Sequence, residues 1–513
     1  MPKWLGSASV MSAAVMGLDV RPVSVEVSLV KGTPIIQIVG LAQSAVREGR
    51  ERIRAAAAQL GLHVPGLRIT VNLAPADLPK TGAALDLPIM LGILCAKGDL
   101  PQDALEGTLA VGELGLDGSL RSIRGGLPIA LFAAANPGVE RLLLPAANLR
   151  EASAAEGIAL GGSDSLTDIL AALNGDVPLR GPAALLPAAG RTDRTETGGR
   201  PRNGGFDLSA VKGQPVAKRA LEIAAAGGHN LLLSGCPGSG KTSLARCLPG
   251  LLPALDVREA VDVTAIHSVA GLLADGSGLE RVRPFRAPHH SISEAGLIGG
   301  GSRPRPGEAS LAHHGVLFLD ELPEFGRRTL EALRQPIEEG QVRIVRAAGS
   351  ACFPAEFTLV AAMNPCPCGF LGVPGRCRCP EETVRRYRRR VSGPLLDRID
   401  MLVDVPAVRW EQLADPAPGE TSAVVRARVS RARARAARRH GTTNARILPA
   451  RLEEACRLER VGRSLLRKAV THLGLTARGY HRTLRVSRTI ADLEGQARVS
   501  EDHVAEAIRF RGP

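Results

Sequence analysis

The chain has 513 residues, enough for two or three domains, and no run approaches the ~18 apolar residues of a membrane helix. Hydrophobic residues make up 44% and aromatics only 3%, so the cores must be built from Leu, Val, Ile and Ala. The net charge of +14 points to an acidic partner, most commonly nucleic acid, although an arginine-rich composition alone gives the same sign. The nine cysteines are odd in number and four crowd into one loop, which excludes a secreted disulfide framework. The opening "MPKWLGSASVMSAAVMGLDV" is interrupted by Ser and Gly and runs straight into "VSVEVSLV", so no signal peptide is expected and the location reads as cytoplasmic.

Residues 1–172 read as a mixed α/β unit. Val23, Val25, Val27 and Leu29 alternate as a half-buried strand, Ser44 to Leu60 forms a charged amphipathic helix, and "RITVNLA" is a further strand. Residues 173–205 are aperiodic and rich in Pro, Gly, Ala and Arg, which marks a flexible linker. A second α/β unit runs over 206–406. A turn-rich connector, 407–420, leads to a helical region over 421–513.

The second unit opens on "NLLLSGCPGSGKTSLARCLPG", which fits G-x-x-x-x-G-K-[ST]. Leu231, Leu232 and Leu233 form the preceding buried strand, and a helix begins near Ser243. Between them, Gly235, Cys236, Pro237, Gly238, Ser239, Gly240, Lys241, Thr242 and Ser243 make a loop whose N–H groups can surround a phosphate at a helix N-terminus. Lys241 can reach the β/γ-phosphates and Thr242 offers a hydroxyl to Mg²⁺. Downstream, the apolar strand of "GVLFLDELPEF" delivers Asp320 for Mg²⁺ and Glu321 for the attacking water. "FTLVAAMN" ends on Asn364, whose amide can contact the γ-phosphate or the water. Arg398 in "SGPLLDRID" suits phosphoryl transfer in a neighbouring subunit, or equally an ordinary ion pair.

The order of these four motifs resembles that of AAA+ ATPases, and specifically their magnesium-chelatase-like branch. Two further stretches, "DLSAVKGQPVAKRALEIAAAGGHN" and "FRAPHHSISEAGLIGGGSRPRPGEASLAHHG", narrow the resemblance to the bacterial ComM/YifB family over nearly the whole chain. The resemblance implies a central P-loop α/β domain with a C-terminal helical lid, working with ATP and Mg²⁺ in a hexameric ring. It implies Asn364 as first sensor, Arg398 as a finger acting in trans, and Arg478 as second sensor with Arg482 as the other candidate. In relatives a hairpin such as "GQVRIVRAAGSACFPAEF" points into the central pore, where Arg343 and Arg346 would carry positive charge. The implied function is a DNA helicase that moves branched DNA in recombination and natural transformation. The alternatives are a metal-chelatase motor subunit and a protein-remodelling ATPase.

The first unit looks like the α+β proteolytic domain of Lon, through "APADLPKTGAALDLPIMLGIL" and "GELGLDGSLRSIRGGLPIALFAA". The serine position falls on Ala84 and the lysine position on Pro128. Neither residue can perform the chemistry, so the resemblance implies a domain without peptidase activity.

Two stretches carry separate chemistry. Cys366, Cys368, Cys377 and Cys379 form C-x-C-x₈-C-x-C, which suits structural Zn²⁺ or four reduced thiols. Cys95, Cys236, Cys247, Cys352 and Cys456 read as isolated, small buried residues. On the helix Ala423–His440, Arg428, Arg431, Arg435, Arg438 and Arg439 fall within about 100° of arc. That stripe fits a DNA backbone, single-stranded or branched, or else a solvated face pairing with acids.

Overall fold

The computed structural model describes residues 4–41, 44–64, 66–80, 82–181, 206–301, 304–346, 349–373, 375–408, 410, 412 and 419–511. Residues 182–205 of the expected linker, and 409, 411 and 413–418 of the connector, lie outside them.

The first sheet has seven strands. In spatial order they are Ile35–Val39, Arg68–Ala74, Asp19–Val30, Trp4–Met16, Thr108–Ala110, Arg141–Pro145 and Ala159–Ser163. Val23, Val25, Val27 and Leu29 are all buried, as their alternation requires. The central strand, Trp4–Met16, was not anticipated. Its inward positions are Ala8, Val10, Ser12 and Ala14, and such small side chains give almost no hydrophobic alternation. Ser12 has no exposed surface and satisfies its hydroxyl by donating to the Ala110 carbonyl at 2.8 Å. The helix Asp86–Lys97 packs across this sheet and is buried on nearly every side.

The second sheet is parallel throughout. Its order is Phe285–Arg286, Val316–Leu319, Thr358–Met363, Leu231–Ser234 and Met401–Asp404. All four residues of Val316–Leu319 and all six of Thr358–Met363 are buried, as strands covered on both faces must be. Helices Pro215–Gly227 and Lys241–Leu251 share a core with one face. The hairpin Gln341–Arg346 with Gly349–Pro354 belongs to the core on the other.

Beyond the second sheet the described residues are helical: Ser422–His440, Pro449–Cys456, Arg460–Leu473, Ala477–Leu493 and Glu501–Arg509. Ser422–His440 is fixed at its start, where the Ser422 hydroxyl accepts from Leu208 N at 2.8 Å and Asp207 accepts from Ser422 N. The parallel α/β sheet followed by a helical region agrees with the P-loop α/β domain and C-terminal helical lid that the resemblance implies. No helix among the described residues is long and apolar enough to cross a membrane.

Among the described residues the first unit meets the second in at least two places, at the helix Val257–Ala270 with the turn after it, where Gly276 N donates to Ala147 O at 2.8 Å, and at the hairpin. Gly125 N donates to the Ser268 hydroxyl at 3.1 Å, on the helix Val257–Ala270. At the other contact, Leu18 packs into the core cluster that holds Ile344 and Phe353 of the hairpin.

Candidate nucleotide-binding and hydrolysis site

Lys241, Thr242, Asp320 and Asn364 converge because three adjacent parallel strands end together. Leu231–Ser234 releases the glycine-rich loop, Thr358–Met363 releases Asn364, and Val316–Leu319 releases Asp320. Crevices at such carboxyl ends are where open α/β sheets bind ligands. The loop is pinned at its start. Gly235 N donates to Met363 O at 3.2 Å, and a Cβ on Gly235 would lie 2.1 Å from the Val405 carbonyl oxygen. Gly240 adopts φ 91° immediately before the helix Lys241–Leu251, a left-handed conformation that a side chain would strain. Pro237 abuts Gly369 of the cysteine loop, and Gly238 also takes positive φ. Ser239 is buried, while Cys236 and Ser243 are half-buried.

Lys241 Nζ donates to Gly235 O at 2.6 Å, Cys236 O at 2.9 Å and Asn364 Oδ1 at 3.3 Å. Burial pulls its pKa below the usual lysine value, and the charge of Asp320 opposes that shift. Thr242 Oγ1 donates to Asp320 Oδ2 at 2.8 Å. A hydroxyl and a carboxylate so placed are the oxygen donors that Mg²⁺ uses beside a nucleotide. The donor set therefore fits Mg²⁺ and a polyphosphate. Glu321 follows in a left-handed conformation, φ 52° and ψ 49°, with its side chain 58% exposed. Its carboxylate faces His290, with Oε2 3.6 Å from Nδ1.

The two arginines assigned from the resemblance meet at one carboxylate. Arg398 is 7% exposed, lies 2.5 Å from Glu338 Oε1 and donates to Pro394 O. Its Nε is buried without a partner. Arg478 is 59% exposed and lies 3.8 Å from the same Glu338 oxygen. Arg482 is 6% exposed, donates to Ile399 O, and has its pKa pushed down to about 10 by burial. It is buried against the α/β unit, with Nε 3.7 Å from Asp400 Oδ1, whereas Arg478 is exposed.

The four cysteine Sγ atoms of 366, 368, 377 and 379 lie within 4.8 Å of one another. Three of the separations are 3.3, 3.8 and 3.7 Å. Thiolates placed tetrahedrally about 2.3 Å from Zn²⁺ have edges of about 3.8 Å, so the set fits that ion. Asp262, His313 and His314 also gather within that range, but they suit a cation poorly. His313 Nδ1 accepts from Glu356 N at 2.9 Å, which leaves the ring proton on Nε2, the nitrogen a metal would need.

Two expectations need correction. Of the five lone cysteines expected to be buried, Cys247 and Cys456 are; Cys95 and Cys236 are half-buried, and Cys352 is exposed on the outward face of the hairpin, between inward-facing Ala351 and Phe353. The arginine stripe is also not one surface. Arg428 pairs with Glu222 and Glu420, Arg439 with buried Asp492, and Arg435 donates to Asp492 O at 2.7 Å. Arg431 and Arg438 are exposed, as are Arg343 and Arg346 on the hairpin. Sequence reasoning missed His290 and Glu338 as neighbours of the site. The doubled histidine in "FRAPHH" was the available clue to the first, and nothing local marks the second.

Three family descriptions match the chain. Residues 207–413 match magnesium chelatase, subunit ChlI. Residues 25–148 match subunit ChlI of Mg-chelatase, and 419–511 match the C-terminal region of that subunit. An uncharacterised protein of Mycobacterium tuberculosis is 44% identical over 505 residues, covering 98% of this chain and 97% of the relative. Competence protein ComM of Haemophilus influenzae is 43% identical over 506 residues, covering 98% and 97%. YifB of Escherichia coli is 42% identical over 507 residues, covering 98% and 96%. With near-complete coverage at such identity, and with the loop, the acidic strand end and the polar strand end gathered as described, the chain belongs to the ComM/YifB family of magnesium-chelatase-like AAA+ ATPases.

Proposed function

We propose that this chain is the subunit of a hexameric, ATP-driven motor that acts on single-stranded or branched DNA as a branch-migration helicase in recombination and natural transformation. The observation that carries the ATPase part is the convergence of Lys241, Thr242, Asp320 and Asn364. In this reading the loop N–H groups and Lys241 bind the phosphates, and Thr242 and Asp320 hold Mg²⁺, which screens charge on the transferred phosphoryl group. Glu321 orients and polarises the water, and Asn364 senses the γ-phosphate. Arg398 reaches the nucleotide of the adjacent subunit after release from Glu338, and Arg478 answers from the lid.

DNA is favoured by the exposed Arg343 and Arg346 on the hairpin and by exposed Arg431 and Arg438. It is favoured too by similarity to a protein named for competence. The four-cysteine loop takes structural Zn²⁺, which closes a segment without a core of its own. The first unit is a Lon-protease-like domain lacking the dyad. Ala84 borders a cavity of about 510 Å³, Pro128 is buried in the helix Gly126–Ala135, and Lys80 is spent on the Pro75 carbonyl.

The deciding experiment is the ATP hydrolysis rate of the full chain alone and with single-stranded, duplex or forked DNA. Stimulation that is greatest on forked DNA is expected. A rate indifferent to every DNA, yet dependent on a porphyrin-binding partner, would move the reading to a chelatase motor, as the family descriptions allow.

A further inference from the structure

We propose that the cysteine loop and the helix after it, Glu381–Arg388, form a further phosphate-binding surface that grips the DNA backbone. The proposal rests on the reading of DNA as the motor's partner. It starts from a concentration of charge. Between Gly375 and Val391 the chain has seven arginines, no lysine and two acids, Glu381 and Glu382. Zn²⁺ on four thiolates would leave about two negative charges in the loop. The arginines outnumber both sources of negative charge together.

The segment turns this charge outward. On the helix, Val384 and Tyr387 are buried, and Tyr387 joins the cluster that holds Ile344 and Phe353 of the hairpin. At about 100° per residue, Arg385, Arg386 and Arg389 centre on the opposite direction, within about 100° of arc, and all three are exposed. Arg388 leans back, its Nε donating to Pro365 O at 3.4 Å, which ties the helix to the residue before Cys366. On the loop, Arg376 and Arg378 flank Cys377 and are exposed. Arg376 Cζ lies 3.9 Å from the centroid of the Phe370 ring. A guanidinium laid on a ring still offers its N–H edge, the group that forks a phosphate.

Internal acids account for little of this charge. Arg385 lies 3.0 Å from Glu381 and 3.7 Å from Glu382, and Arg390 lies 2.9 Å from Glu324, all through exposed side chains. Such pairs are weak and yield to a stronger anion. Among the described residues, Arg378, Arg386 and Arg389 enter no ion pair.

A polyanion is the partner of matching chemistry. A second copy of a chain with net charge +14 is repelled on average. The outward groups are guanidinium throughout, with no amide to read base edges, so they suit phosphates and carry no sequence preference. The shared core cluster also places the helix over the same face of the second sheet as the hairpin that bears Arg343 and Arg346.

The test uses the full-length wild type, a triple variant carrying Arg378→Gln, Arg386→Gln and Arg389→Gln, and a second triple variant with Lys at the same positions. Three quantities are measured: mass of the assembly in solution, ATP hydrolysis without DNA, and affinity for a fluorescein-labelled duplex of mixed sequence across a salt series. Three lost phosphate contacts make the slope of log affinity against log salt shallower by about 2.7. The ratio of wild-type to Gln-variant affinity is therefore expected to grow about fortyfold as salt falls from about 0.2 to about 0.05 M. Assembly mass and DNA-free hydrolysis should stay at wild-type levels. The Lys variant keeps the charge and should keep the wild-type slope. A Gln variant with the wild-type slope overturns the proposal. So does loss of assembly in that variant, which would place the arginines against a neighbouring subunit. Loss of DNA-free hydrolysis in intact assemblies also overturns it, because the arginines would then serve the nucleotide. A wild type that binds no duplex anywhere in the salt series would defeat the DNA reading itself, whereas the other failures leave that reading standing.

Discussion

The split of the arginine stripe sets up a test of the DNA reading. At about 100° per residue, the buried positions Val425, Val429, Ala432 and Ala436 of the helix Ser422–His440 centre on one direction. Arg428, Arg435 and Arg439 lie about 50–90° from that direction, near enough to fold back onto Glu222, Glu420 and Asp492. Arg431 and Arg438 lie about 130–150° away and face solvent. Each phosphate contact contributes about −0.9 to the slope of log affinity against log salt on duplex DNA, and about −0.7 on single strands. Replacing Arg431 and Arg438 together with Gln should therefore make the slope shallower by about 1.8 on duplex or about 1.4 on single strands. Preference among base sequences should not change, because phosphate contacts carry none. Arg428→Gln should leave the slope alone and instead cost about 1–3 kcal/mol of stability, since it weakens the satisfaction of buried Glu222. Fluorescence anisotropy titrations across a salt series, with thermal melts of each variant, measure both quantities. An unchanged slope in a folded double variant that still hydrolyses ATP would refute phosphate contact by this helix. An equal loss of slope in Arg428→Gln would refute its internal role.

Other outcomes follow from the same contacts. Glu321→Gln should bind ATP with wild-type affinity but hydrolyse it at least about a hundredfold more slowly, as read by nucleotide binding and phosphate release. Arg398→Ala subunits mixed with Lys241→Ala subunits should recover part of the hydrolysis rate, because some interfaces then pair an intact loop with an intact finger; confirmed mixed rings without recovery would count against action in trans. Asp492→Ala leaves Arg488, which has no exposed surface, without its carboxylate and should destabilise the helical region by about 3–5 kcal/mol in denaturant melts. Metal analysis should find about one zinc per chain, lost in Cys366→Ser, whose thiol is fully buried.

Much of the motor unit was legible because its chemistry is local. The loop from Gly235 to Thr242 declares itself by residue type and spacing, and a short apolar run before Asp320 or Asn364 is enough to predict a strand that ends on a polar group. The first sheet was legible only where large side chains alternate, as at Val23, Val25, Val27 and Leu29. Trp4–Met16 escaped notice because Ala8, Ser12 and Ala14 carry its inward face. The arginine stripe was misread for a different reason. Helical periodicity places side chains on an arc but does not say where that arc stands relative to carboxylates on other elements. Glu222 and Asp492 lie far from the stripe in sequence, and only packing brings them to it. His290 and Glu338 were missed for the same reason, since each owes its importance to a partner from another element.

Whatever the ancestry of the first unit, its packing constrains the motor. The turn after Trp4–Met16 puts Gly17 so close to the hairpin that a Cβ there would lie 2.8 Å from Ala351 Cβ, in a backbone with φ 67°. Leu18 enters a cluster with Leu319, the residue before Asp320, and with Ile344 and Phe353. The cavity beside Ala84 is bordered on the motor side by Val269, Arg305, Ser350 and Ala351. That cavity is therefore lined by both units. The same packing leaves the hairpin with Arg343 and Arg346 unable to tilt without displacing Leu18 or opening the cluster around Phe353. Opening it would expose apolar surface at about 25 cal/mol per Å². Hairpin motion is thus cheapest when the first unit moves with it.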